Sequence, residues 1–198
     1  MLLYDSAVSG NCYKVRLLLA KLGVDYQRRE LSVADRSDRE EILGGLNPAL
    51  RVPTVVFDDG RVLAESNAII FFFAEGTEYL PTDRFERAKV LQWLFFEQYD
   101  HEPTIAVVRF WVAFSQHPPP VHEIEARRAA GYRSLAALER GLAEHPFLVG
   151  DRCTIADIGL YAYTHVAPEG GFDLAGYPAI CAWLERVAAQ PGHVPIDA

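Results

Sequence analysis

The sequence predicts two domains, an α/β domain over residues 1–77 in the order strand–helix–strand, helix, strand–strand–helix, and an all-helical domain over residues 84–198. Three observations carry this. Short apolar and β-branched runs bounded by turn residues alternate with helix-period segments in the first part of the chain, and no strand signal survives beyond residue 84. Pro53 stands immediately before Thr54-Val55-Val56-Phe57, and a residue with no N–H to give to a ladder belongs at the first position of a strand. The second part carries Trp93, Phe95, Phe96, Phe110, Trp111 and Trp183, which need a core to bury them, so it is neither linker nor tail.

Met1-Leu2-Leu3-Tyr4 is a short apolar strand, and residues 6–11 are a loop of turn formers. Over residues 12–22, Cys12, Val15, Leu18, Leu19 and Leu22 recur at helical spacing while Lys14, Arg16 and Lys21 fall off that stripe, and Gly23 supplies the stop. Residues 26–31 alternate weakly as a second strand, and residues 37–43 make a short helix ended by Gly44-Gly45. Thr54-Val55-Val56-Phe57 is followed by the hairpin signal Asp58-Asp59-Gly60 and the return strand Arg61-Val62-Leu63, with Ser66 as expected N-cap of a helix over residues 67–74. This order is the thioredoxin-like arrangement.

Residues 76–83, with Pro81, read as the linker. A long helical stretch follows over 84–115, with Pro103 expected to kink or interrupt it, and His117-Pro118-Pro119-Pro120 ends it. Further helices are predicted over 121–144, 154–166 and 178–190. Thr154-Ile155-Ala156-Asp157 has the form of a capping box, the Thr154 hydroxyl accepting from the Asp157 amide and the Asp157 carboxylate reaching back to the Thr154 amide.

Half of the 198 residues are hydrophobic and 23% are charged, the balance of a folded globular protein rather than a disordered one. A formal net charge of −8 disfavours nucleic acid and anionic membrane surfaces as partners, so an anionic small ligand needs a local basic pocket. The three cysteines, Cys12, Cys153 and Cys181, are odd in number and lack metal-binding spacing, which argues against a disulfide framework and fits a reducing cytoplasm. The N-terminus shows no basic, apolar leader pattern and no stretch is apolar enough to span a bilayer, so neither export nor anchoring is expected. No pair of the six histidines has metal-ligand spacing, and no Walker, Rossmann or Ser-His-Asp signature occurs; no metal is expected.

The segment Asn47-Pro48-Ala49-Leu50-Arg51-Val52-Pro53-Thr54, followed after the hairpin by Glu65-Ser66-Asn67-Ala68-Ile69-Ile70, resembles the cytosolic glutathione transferases, serine-type or theta-, zeta- or nu-like. In that family the proline matching Pro53 is cis and a Glu-Ser pair opens the third helix. The box at Thr154, preceded by Gly150-Asp151, resembles the family's sixth-helix cap, so the likeness covers nearly the whole chain. It implies glutathione as co-substrate, a cytoplasmic location and a two-fold homodimer with residues 67–74 and 84–96 near the interface.

Ser9-Gly10-Asn11-Cys12 occupies the place of the Cys-x-x-Cys of thioredoxin-like redox proteins, but a lone Cys12 cannot form that disulfide. Cys12 lies on the apolar stripe and reads as core, and Cys153 and Cys181 read as packing residues. The resemblance implies that Ser9 donates a hydrogen bond to the glutathione sulfur, with Asn11 as rival for that role. A helix N-terminus with Lys14 in its first turn independently favours an anion there, although Ser9 and Asn11 are equally ordinary loop and cap residues. The resemblance further places Arg51 near the glycyl carboxylate, the Val52 backbone before Pro53 against the cysteinyl amide, Glu65 on the γ-glutamyl ammonium and Ser66 on its carboxylate. It points to Tyr99, His101, Ile105, Arg109 and Phe110 for the second substrate, a stripe that is also the pattern of a core. The implied activity is transfer of the glutathione thiolate to an electrophilic, largely apolar small molecule. Glutathione-dependent disulfide or peroxide reduction, and a non-catalytic binding module, are the alternatives.

Overall fold

The strand Leu2–Asp5 (β1) lies inside a four-stranded sheet of order β2-β1-β3-β4, with β2 at Gln27–Glu30, β3 at Thr54–Val56 and β4 at Val62–Ala64. The computed structural model describes residues 1–198. β1 runs parallel to β2 and antiparallel to β3, and β3 pairs antiparallel with β4 in the register Tyr4↔Thr54 and Thr54↔Ala64. Leu3 and Val55 are fully buried on these central strands. Edge strand β2, Gln27-Arg28-Arg29-Glu30, is exposed throughout, and its charges keep an open edge from pairing with another chain.

Helix α1, Gly10–Leu22, starts at the N-cap Ser9 and stops at Gly23, which takes the left-handed conformation. Its Cys12, Val15, Leu18 and Leu19 are buried as the periodicity predicts, but so are Lys14 and Arg16, which fell off the apolar stripe. The reason is that α1 is covered on more than one side. Helix α3, Ser66–Ala74, packs on it, and residues at the C-terminus cover another side, where Tyr13 donates to the Val194 carbonyl (2.6 Å), Lys21 to Pro191 (3.1 Å) and Arg16 to Ile196. A short helix α2, Arg39–Leu43, completes the set. Ser66, expected as the cap of α3, is its first helical residue, and Glu65 stands in the cap position with φ 68°.

The chain divides into a unit of Met1–Glu75 with Pro191–Ala198 and a unit of Gly76–Gln190. The last eight residues thus group with the sheet, whereas the helical domain expected from the sequence ran to residue 198. In the second unit, α4 spans Arg84–Phe96, capped by Asp83, whose carboxylate accepts from the Phe85 and Glu86 amides. The predicted interruption near Pro103 is a widened π-helical turn, Glu97–His101, leading into α5, Glu102–Ala113. Pro103 follows closely on that turn within a helix that runs on without a break, and the widened turn is where the chain accommodates a residue with no N–H and a bulky ring. Helices α6, Val121–Leu142, α7, Ile155–Thr164, and α8, Pro178–Ala188, follow.

Ile105, Val108, Leu135, Ile158, Leu160, Ile180 and Trp183 fill this unit's interior, while Phe95, expected inside, is 71% exposed. A Cβ on Gly131 would meet the Phe172 ring at 2.6 Å, so only glycine lets α6 approach it this closely. The capping box at α7 forms: the Thr154 side chain bonds the helix-start amides and Asp157 accepts from the Thr154 amide at 2.8 Å. Asp157 also accepts from the Leu148 amide (3.0 Å) and the Trp183 indole (2.9 Å), so one buried carboxylate gathers the helix start, the preceding loop and α8.

Candidate functional site

The strand register determines which loops meet. Antiparallel pairing of Thr54 with Tyr4 and with Ala64 sets the loop before β3 beside the loop after β1 and the turn from β4 into α3. Ser9 and Asn11, Arg51 to Pro53, and Glu65 and Ser66 therefore share one end of the sheet.

Each loop is held from within. After β1, Arg16 donates from Nη1 to both oxygens of buried Asp5 (2.7 and 2.9 Å) and to the Ser6 carbonyl (3.2 Å), and from Nη2 to the Ala7 carbonyl (3.1 Å). Arg28 closes a second ion pair on Asp5. Burying a carboxylate demands such pairing, and the same guanidinium that supplies it fixes the path of the chain toward Ser9. Before β3, Asn47 is buried and its amide donates to the Arg51 carbonyl (3.0 Å) and Thr54 Oγ1 (2.9 Å), while Thr54 donates to the Arg51 carbonyl (2.8 Å). The Val52-Pro53 peptide is cis, Pro53 is buried, Val52 is half-buried and Arg51 is exposed.

Ser9 Oγ accepts from the Cys12 amide at 3.3 Å, which leaves its own O–H as a donor. Asn11, half-buried in the first turn of α1, receives Lys14 Nζ on its Oδ1 at 2.8 Å and the Ser66 hydroxyl at 3.2 Å. Lys14 also donates to Ser66 Oγ and to Asn67 Oδ1, each at 3.3 Å. A buried cation thus ties the start of α1 to the start of α3. Ile69 donates back to Glu65, so the amides of Ser66, Asn67 and Ala68 precede the first intrahelical bond and form the positive end of α3. Glu65 is exposed, its side chain makes no cap bond, and it holds a positive φ that glycine adopts at lower cost. Cys12 is fully buried, and burial, reinforced by Asp5, pushes its thiol well above the ordinary range, which keeps it protonated and unreactive.

The model for glutathione S-transferase, N-terminal domain, matches residues 8–75, and that for glutathione S-transferase, C-terminal domain, matches residues 89–191. The chain belongs to the cytosolic glutathione S-transferase family. Among its relatives, glutathione S-transferase 2 of Anopheles gambiae is 30% identical, over 93% of this chain and 88% of that protein. The disulfide-bond oxidoreductase YfcG of Escherichia coli is 29% identical, over 93% of this chain and 89% of its own. A solved glutathione S-transferase from Pseudomonas fluorescens superposes with a TM-score of 0.93 at 44% identity, covering 98% of both chains. The thioredoxin-like sheet domain followed by a helical domain, read from the sequence, is this family's fold.

Of the residues expected to meet a second substrate, three lie in the interior of the helical unit. His101 is buried with Nε2 on Thr164 Oγ1 at 2.9 Å; because Thr164 gives its own hydrogen to the Leu160 carbonyl (2.7 Å), His101 is the donor in that pair. Ile105 is fully buried, and Arg109 pairs with Glu169 at 2.8 Å. Tyr99 is 83% exposed and Phe110 half-buried, so these two keep accessible surface. Sequence reasoning missed the roles of Asp5, Arg16 and Asn67, and it singled out Lys14 as a cation at the helix start without its burial or its link to α3. The available signal was two cations at Lys14 and Arg16 inside an otherwise apolar helix, but their partners lie in other segments. No group of three or more His, Cys, Asp or Glu side chains is placed to hold a metal ion, and no helix is long and apolar enough to cross a membrane.

Proposed function

We propose that this chain is a glutathione transferase that activates the glutathione thiol as thiolate and directs its sulfur at an electrophilic carbon, the leaving group departing with its electron pair. The observation that carries the reading is the network joining Asn11, Lys14, Ser66 and Asn67 next to Ser9. It brings donors suited to a thiolate and an anion-binding helix start onto one rim. Glutathione is an extended tripeptide with its sulfur in the middle and charged groups at both ends, which is the spacing such a rim serves. Glu65 takes the γ-glutamyl ammonium, Ser66 and the α3 amides its carboxylate, the Val52 backbone beside cis-Pro53 the cysteinyl amide, and Arg51 the glycyl carboxylate. Ser9 and Asn11 face the sulfur, and Tyr99 and Phe110 are the candidates for contact with the electrophile.

Likeness to YfcG supports a second reading, in which the same bound thiolate attacks one sulfur of a disulfide, expels the other as a thiolate, and forms a mixed disulfide. A second glutathione thiolate then attacks the glutathione sulfur of that mixed disulfide, giving glutathione disulfide and releasing the remaining substrate thiolate. Cys12 takes no part in either reaction, being buried and protonated. Calorimetric titration with glutathione tests the common premise. Parallel assays with a chloronitrobenzene, a glutathione mixed disulfide and an organic hydroperoxide then separate the activities. Turnover of the chloronitrobenzene supports transferase action, turnover of the disulfide alone moves the assignment to reduction, and binding without any turnover leaves a binding module.

A further inference from the structure

The turn from β1 into α1 is Ser6-Ala7-Val8-Ser9, closed by the Ser9 amide on the Ser6 carbonyl at 3.0 Å. Its first peptide unit, Ser6–Ala7, is one rigid plane with the carbonyl at one edge and the Ala7 N–H at the other. The carbonyl also accepts from Arg16 Nη1 of α1 at 3.2 Å, and the Ala7 N–H donates to Glu30 Oε1 of β2 at 2.8 Å. Two charged side chains from different elements therefore hold opposite edges of one plane. Glu30 reaches the turn because β2 runs parallel to β1 with Glu30 opposite Asp5, so both strands end on the same side of the sheet. Its other oxygen, Oε2, accepts from Arg28 Nη2 at 3.1 Å, and Arg28 is paired with Asp5 as well. Water can satisfy an exposed N–H, but a carboxylate anchored by an arginine also fixes where that N–H points.

We propose that Glu30 is a positioning residue: by holding the Ala7 amide it fixes the Ser6–Ala7 peptide, and with it the place of Ser9 at the start of α1, toward the sulfur of bound glutathione. This rests on the glutathione reading above. Released at its Ala7 edge, the plane pivots on the Arg16 bond, and the Ser6 carbonyl swings off the Ser9 amide that closes the turn. Ser9 is the N-cap of α1, with its Oγ on the Cys12 amide, so a loosened turn displaces the hydroxyl and the helix start together. The charge of Glu30 works the other way. A carboxylate near the site disfavours a thiolate, so losing the charge lowers the bound thiol pKa, whereas losing the anchor raises it. The two effects differ in sign, and one substitution separates them.

Glu30→Ala is made on an edge strand at a side chain that is 53% exposed, so the core is untouched. The pKa of bound glutathione, read from thiolate ultraviolet absorbance against pH, should rise by about half a unit or more. Affinity for S-methylglutathione, which has no ionisable thiol, should stay close to that of the unmodified protein. A lowered or unchanged thiol pKa means that Glu30 acts by charge or not at all and overturns the proposal, as does a loss of S-methylglutathione affinity that matches the loss for glutathione. In a Ser9→Ala background the same Glu30→Ala change should add nothing, because the group it positions is gone, and full additivity overturns the proposal. Hydrogen exchange in the ligand-free protein reads the turn directly. The Ala7 and Ser9 amides should exchange faster in Glu30→Ala, and an unchanged Ser9 amide overturns the proposal. An equal acceleration at the Leu31 amide, which bonds the Asp5 carbonyl at 2.8 Å, would mean that β2 itself has come away and overturns the local role. Absence of S-methylglutathione binding by the unmodified protein overturns the glutathione reading and this one with it.

Discussion

Glu65 combines two features that point the same way. Its carboxylate caps nothing, and its backbone sits at φ 68°, a conformation that costs a non-glycine residue roughly 1–3 kcal/mol. An acidic side chain kept at a strained position is explained by a ligand cation. Glu65→Gly should therefore raise the thermal midpoint while weakening glutathione binding roughly tenfold or more, since hydrogen bonds to charged groups are the stronger ones. Calorimetry and a melting curve on the same preparation check both signs; a lowered midpoint disproves the strain, and unchanged affinity disproves the contact. The choice between Ser9 and Asn11 is also made by single side chains. Ser9→Ala and Asn11→Ala should each raise the bound thiol pKa, the larger rise marking the principal donor, at about 1.4 kcal/mol per unit of pH. Cys12→Ala should leave that value alone and lower the midpoint by a few degrees, as loss of a buried group does.

Helix starts and the C-terminal strap show how segments are pinned. Thr154→Ala removes the hydroxyl that caps α7 and should cost about 0.5–2 kcal/mol. Asp157→Ala should cost more, because it strands buried donors on Leu148, Thr154 and Trp183 at once. Urea denaturation of both variants tests the order, and an Asp157→Ala protein as stable as Thr154→Ala would contradict the hub role. In the strap, His193 lies against the Tyr13 hydroxyl (3.3 Å), and burial, with Lys21 nearby, holds its imidazole below the usual range. The folded protein thus favours the neutral ring. The stability this contributes is fully present above the ordinary histidine value of about 6.5 and is lost as pH falls from there toward the depressed folded value. Between about pH 7.5 and 5.5 the unmodified protein should lose more thermal stability than His193→Gln, a difference that melting curves in matched buffers measure. Equal losses would remove the histidine from the account.

Each unit leaves aromatic surface uncovered. In the sheet unit, Phe72 of α3 is 47% exposed and packs edge-on to Phe57 and Phe73, with ring centroids 5.2 and 5.3 Å away. In the helical unit, Phe85 and Phe95 of α4 are 72% and 71% exposed. Exposed aromatics on these two helices favour association, and we expect a homodimer that buries them. Light scattering at micromolar concentration should report twice the 22.1 kDa chain mass, and Phe72→Asp with Phe95→Asp should shift it to the monomer. A monomer mass for the unmodified protein would end the dimer expectation.

The strand and hairpin around Val55 and Gly60, the stop at Gly23, the box at Thr154 and the interruption near Pro103 were legible because turn chemistry, capping and periodicity act over a few neighbouring residues. Ser9, Arg51, Glu65 and Ser66 punctuate those same local elements, which is why one end of the sheet gathers them. Other features depend on partners distant in sequence. Arg16 falls off the apolar stripe of its helix and is buried because Asp5 arrives from β1 and Ile196 from the C-terminus, and Lys14, legible as a cation at the helix start, is buried with Asn67 of α3 as a partner. His101 and Arg109 look like a pocket stripe until Thr164 and Glu169 pair with them inside the helical unit. A local pattern says which side chains are apolar, but whether a polar one is buried depends on a partner able to replace water, and folding decides which partner arrives.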